Sequence, residues 1–139
     1  MKKKNNKSMS KKQDKYQKYQ SPLAERYASE EMSYNFSDQL KYSTWRKLWI
    51  ALAETEKALG IKAISRKQID EMKKFQDNIN FDVARKHELR VKHDVMAHVL
   101  AFGDQCPSAS PIIHLGATSA FVQDNADLIL MKNGLNILL

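Results

Sequence analysis

The sequence predicts an all-α chain. Apolar residues recur at helical spacing in several segments, no segment alternates with the period of a strand, and no internal repeat occurs. Proline and small residues gather instead in one long irregular stretch, 104–118, which holds Pro107, Pro111 and Gly116. The 139 residues suffice for one modest core.

Taken in order, Ser21-Pro22 marks an extended or turning start. Trp45, Leu48, Trp49, Leu52 and Leu59 then form one face of a helix that begins near Ser37 or Ser43 and ends at Gly60. Ser65 and Gln68 have the spacing of a capping box, with Ile69 and Met72 as the buried face of a short helix. Residues 78–82 read as a turn. A helical region follows from about Val83 to Phe102, with a break near His93; Val95, Met96, Val99 and Phe102 form its stripe and Gly103 can end it. A last helix runs from Ser119 to Leu139. Phe121, Leu128, Leu135 and Leu138 lie on one side, Ile129, Met131 and Ile137 widen it, and Gly134 weakens it by about 1 kcal/mol relative to alanine. An apolar helix ending on aliphatic residues needs a cover, so the natural protein is expected to continue.

The net charge of +7 is a property of the tail. Residues 1–19 carry eight lysines and one aspartate, and the remainder balances 15 basic against 15 acidic residues. That tail has too few apolar groups to offset ordering entropy, so a disordered, solubilising extension is expected rather than a nucleic-acid-binding face. Cys106 is the single cysteine and has no internal disulfide partner; no Cys-x-x-Cys pair suggests zinc. No apolar run approaches the roughly 18 residues of a membrane span, and no secretory signal opens the chain. The expectation is a soluble, intracellular protein without a membrane partner.

Three clusters could carry chemistry. Arg26-Tyr27 pairs a guanidinium fork with a hydroxyl and a stacking face, although an ordinary surface pair is the plainer reading. Lys92-His93-Asp94 combines a cation, a group that titrates near neutrality, and a carboxylate that can orient the imidazole or cap the next helix. His98, five residues from His93, makes a poor metal partner for it and reads as structural; His87 reads as solvent-facing. His114 to Ser119 brings a glycine and adjacent hydroxyls to a helix start, as a carboxylate site or as a simple cap.

In this order the clusters resemble adenylosuccinate lyase, of the fumarase/aspartase superfamily. The resemblance rests on Ser-Pro-Leu-Ala-x-Arg-Tyr-Ala-Ser (21–29), Thr-Trp-Arg-Lys-Leu-Trp (44–49) and Leu-Ala-Glu (52–54). It continues through His-Asp-Val-Met-Ala-His (93–98), Ile-Ile-His-Leu-Gly-Ala-Thr-Ser (112–119), Asp124-Asn125 and Asp127-Leu128. It covers the chain from about Tyr19 onward and is nearest to the version of animal enzymes.

The resemblance implies an N-terminal helical domain over 20–118 after the tail, and the start of a central helix bundle over 119–139. It implies cleavage of adenylosuccinate to AMP and fumarate, and of the related imidazole-carboxamide succinyl nucleotide, in cytoplasmic purine biosynthesis by a homotetramer. No cofactor or metal is implied. Arg26 and Tyr27 match residues that contact the nucleotide and its phosphate, His93 and Asp94 the substrate-binding pair, and Thr118 and Ser119 the pair that holds a succinyl or fumarate carboxylate. Lys92 stands where the family pattern has arginine, which keeps the charge and loses the fork. The family's general-acid histidine and loop serine base match nothing in this sequence, so no catalytic residue is assigned and the chain alone is expected to be inactive and poorly stable. The alternative is a non-catalytic truncated relative that partners full-length subunits, which co-purification with such a subunit would reveal.

Overall fold

A computed structural model describes residues 19–139. The lysine-rich tail lies outside the described residues except for Tyr19. Among the described residues the chain is all-α, with seven α-helices and no strand. They are α1 (Pro22–Arg26), α2 (Glu30–Asn35), α3 (Asp38–Ala58), α4 (Arg66–Lys74), α5 (Phe81–Val91), α6 (Asp94–Gln105) and α7 (Ser119–Leu138). A 3₁₀ turn, Ser110–Ile112, interrupts the long connection before α7.

Local chemistry sets most boundaries. The Ser37 hydroxyl accepts from the Leu40 N–H at 3.3 Å and starts α3, and Gly60, at φ +93°, turns the chain away after it. The Ser65–Gln68 capping box is complete, with both reciprocal bonds formed. The expected turn at 78–82 is shorter: Asn80 caps α5 through the Val83 N–H, so Phe81 and Asp82 are already helical. The break near His93 is real. Lys92 ends α5 at φ 54° in the left-handed region, and His93 caps α6.

α3 is the central element. It packs on α7 and α4, while α5 pairs with α6, and α2 leans on α3 and α7. Trp45 and Trp49 meet Ile69 and Met72 from α4, Val95 and Phe102 from α6, and Val122 and Ala126 from α7 in one core. Leu59 is exposed rather than part of the buried α3 face, because it lies at the helix end beyond any packing neighbour.

Two helix faces and one helix end differ from the sequence pattern. Met96 is exposed, and α6 buries Val95, Ala97, His98, Ala101, Phe102 and Gly103 instead. Gly103 does not end α6, which continues to Gln105; a Cβ there would come within 2.7 Å of the Ser110 Oγ, so the missing side chain admits the 3₁₀ turn. In α7 the buried residues are Val122, Ala126, Leu130 and Gly134, while Leu128, Leu135 and Leu138 are exposed. Small side chains let α7 approach its neighbours, and Phe36 fills the space beside Gly134. No described helix is long and apolar enough to cross a membrane.

Arg46 is buried, at 1% exposure, and its guanidinium crosses the core. It donates to the carbonyls of Phe75 and Asn78 and, at 2.7 Å, to the Gln105 side chain, and it lies 4.3 Å above the Phe102 ring. One side chain thereby fastens the exit of α4, the loop to α5 and the end of α6 to α3. Burial lowers its pKa to about 10, against the opposing pull of Cys106 and Asp77. We expect Arg46→Met to lower unfolding stability by about 3 kcal/mol, since buried carbonyls lose their donors. Urea unfolding checks this, and a loss below about 1 kcal/mol would contradict it.

His98 is structural, as its spacing suggested. It is buried and stacks on Tyr42 with ring centroids 3.6 Å apart. Burial, reinforced by the Arg46 charge, holds its imidazole down to about 4 despite Asp94. The unfolded chain therefore takes up a proton below about pH 6.5 that the folded chain refuses until about pH 4. Stability should fall with falling pH across that window, by about 1.4 kcal/mol per pH unit from this group. His98→Phe keeps a ring on Tyr42 and should flatten the slope. An unchanged slope in thermal melts across those pH values would rule out His98 as its source.

Candidate functional site

Two helix starts meet at the site. His93 caps α6 from the end of a left-handed turn, and Ser119 opens α7 after the long connection. The His93 Nδ1 accepts from the Met96 N–H at 3.3 Å. A backbone N–H can only donate, so Nδ1 carries the lone pair and the neutral ring keeps its proton on Nε2. Nε2 lies 3.3 Å from the Ser119 Oγ. Of the two roles open to Asp94, the cap falls to His93, and Asp94 occupies the first helical position.

Asp94 binds locally at both oxygens. Its Oδ1 accepts from the Val95 N–H at 2.8 Å, and its Oδ2 accepts from Gln123 Nε2 at 3.1 Å. Gln123 thus ties the first turn of α6 to α7. Sequence reading passed over Gln123, yet Ser119 and Gln123 are four residues apart and share a helix face. His93 Nδ1 lies 3.7 Å from Asp94 Oδ1, so the carboxylate sits beside the ring without taking its cap bond.

Thr118 stands at the N-cap position of α7 but makes no side-chain cap bond. The hydroxyl is exposed, and the first N–H groups of a 20-residue helix open beside it. The approach is built by two left-handed residues, Gly116 at φ 65° and His114 at φ 66°. Glycine takes that conformation without strain, whereas histidine pays for it. His114 is held by the buried Ile112 and Ile113 before it and by the Trp49 indole N–H, which donates to Nδ1 at 2.9 Å. Burial lowers the His114 pKa, and electrostatic interaction with His93 acts in the same direction.

The remaining sequence candidates sit elsewhere or face outward. Lys92 is exposed and adjoins His93 through its left-handed turn. Arg26 and Tyr27 are exposed at the end of α1, and no hydrogen bond or ion pair among the described residues joins them to the His93 cluster. Tyr27 instead borders an apolar groove with Leu23, Met32 and Phe36. His87 is not solvent-facing as its charged neighbours suggested: it is half-buried, 2.7 Å from Asp104, and joins α5 to α6.

Taken together, the face offers an imidazole N–H, two hydroxyls, an open helix start and a flanking lysine. Such donors suit an anionic oxygen. Among the described residues no group of histidine, cysteine and carboxylates forms a metal cage.

No family model matches the chain. Curated proteins do. The adenylosuccinate lyase of Schistosoma mansoni is 56% identical over 126 residues, covering 91% of this chain and 26% of that protein. The adenylosuccinate lyase of Saccharomyces cerevisiae is 48% identical over 126 residues, covering 89% and 26%. That of Caenorhabditis briggsae is 47% identical over 123 residues, covering 88% and 26%. The chain spans about a quarter of the length of these relatives. Identity this high across nearly all of the chain, on an all-α frame, means that it belongs to the adenylosuccinate lyase family and corresponds to an N-terminal portion of it.

Proposed function

We propose that this chain supplies part of the substrate-binding site of an adenylosuccinate lyase, acting in cytoplasmic purine biosynthesis within a homotetramer. The observation that carries the proposal is the contact of His93 with Ser119, two residues from separate motifs, at the open start of α7. Thr118, Ser119 and the first N–H groups of α7 hold a carboxylate of the succinyl group or of fumarate. His93 lies over the reacting portion, with Asp94 fixing the turn that carries it. Lys92 adds positive charge at the rim. Arg26 and Tyr27 meet the nucleotide and its phosphate at a distance from this cluster.

The reaction removes a proton from the succinyl carbon next to a carboxylate. It breaks the bond from the neighbouring carbon to the purine nitrogen, forms the fumarate double bond and returns a proton to the nitrogen. Negative charge grows beside carboxylates that are already charged. The chain's donors oppose that repulsion by binding the carboxylate more tightly as charge accumulates. No residue of this chain is given the role of base or acid, and no cofactor enters the proposal. The domain division at residues 118 and 119 belongs to the same reading, with α7 as the first helix of a central bundle.

The test is a chimera in which residues 20–139 replace their counterpart in the Schistosoma mansoni enzyme. It should convert adenylosuccinate to AMP and fumarate. His93→Ala in it should lower kcat by about 100-fold or more, and Ser119→Ala should chiefly raise KM. A folded tetrameric chimera without activity, or one indifferent to His93→Ala, would overturn the proposal.

A further inference from the structure

His114 is not among the residues assigned above, yet the structure holds it with an unusual constraint. Its backbone occupies the left-handed region at φ 66°, which residues other than glycine uncommonly adopt. Its ring stands nearly perpendicular to Trp49, at an interplanar angle of 83°, so the indole N–H aims at Nδ1. Trp49 itself cannot turn away, since it is 1% exposed and packed against Trp45 and Phe102.

We infer that Trp49 is a positioning residue, which fixes His114 as the Nε2–H tautomer and thereby holds an oriented imidazole donor on the segment that leads into Thr118 and Ser119. Indole nitrogen can only donate, so the His114 Nδ1 must accept and the one proton of the neutral ring resides on Nε2. That nitrogen makes no hydrogen bond among the described residues. His93 repeats the arrangement: an obligate donor, the Met96 N–H, occupies its Nδ1 and leaves the proton on Nε2. Two imidazoles on separate segments are thus held with the same nitrogen protonated, one by a helix cap and the other by a core tryptophan. Burial lowers the His114 pKa, a direction that favours the uncharged ring a fixed tautomer requires. The inference deepens the proposal above and rests on its reading that this face takes a carboxylate. It gives Trp49, a core residue by burial, a second role through its nitrogen.

The experiment is two-bond proton–nitrogen correlation on the chain, labelled with ¹⁵N in histidine and tryptophan, at neutral pH. His114 should show an unprotonated Nδ1 and a protonated Nε2, with a coupling across the hydrogen bond from Trp49 Nε1. In Trp49→Phe the tautomer ratio should move about five- to tenfold toward Nδ1–H, the change that loss of one such bond implies. A protonated Nδ1 in the unaltered chain would overturn the inference, as would a folded Trp49→Phe variant with an unchanged ratio. Should that variant not fold, the cross-bond coupling in the unaltered chain decides by itself. Fumarate is absent from every sample, so failure of the ligand-binding proposal can neither produce nor conceal either result.

Discussion

A buried guanidinium without an ion-pair partner among the described residues is the constraint around which this fold closes. Arg46 must satisfy its donors with carbonyls and one amide, and those groups belong to the exits of α4 and α6 and to the loop before α5. An unsatisfied buried cation is costly, so these segments cannot drift from α3 independently. The same helix carries Trp45 and Trp49 into the core. α3 is accordingly both the wall of the core and the ruler from which other helices take their positions.

The site inherits that rigidity from both ends of α6 and from the start of α7. Arg46 holds Gln105 at the far end of α6, the His93 ring caps the near end, and Gln123 joins the first turn to α7 through Asp94. The connection between them is irregular, yet its core side is pinned by Cys106, Ala109, Ile112 and Ile113. Its outer side is left with the left-handed residues His114 and Gly116 and the exposed Thr118. Donors therefore sit on a short stretch anchored at intervals by apolar side chains, which limits the reorganisation needed when an anion arrives.

Helix positions were legible because they depend on local chemistry. Ser37, Ser65 and Gly60 mark ends through bonds or dihedrals to near neighbours, and the tryptophans of α3 state its buried face by size alone. Faces of α6 and α7 were less legible. Hydropathy selects the largest apolar residues, such as Met96, Leu128 and Leu135, while close helix approach selects small ones, Ala97, Ala126 and Gly134. The site showed the same division. His93, Asp94, Thr118 and Ser119 stood out by residue type and by resemblance, but the His93–Ser119 contact spans 26 residues and follows from no spacing rule. Gln123, and the bonding role of the Trp49 indole nitrogen, escaped notice because a polar helix residue and a core aromatic have ordinary explanations. His87 was misplaced because its partner, Asp104, lies on the next helix in space.

In the proposed function His93 and the open first turn of α7 form one anion-binding face. Titration of the ¹⁵N-labelled chain with fumarate measures this most directly. Shifts are expected to concentrate at the His93 ring and the Ser119 and Ala120 amides, and to be abolished by Ser119→Ala with the fold intact. Shifts confined to other surfaces, or a folded chain whose His93 and α7 amides do not respond, would contradict it.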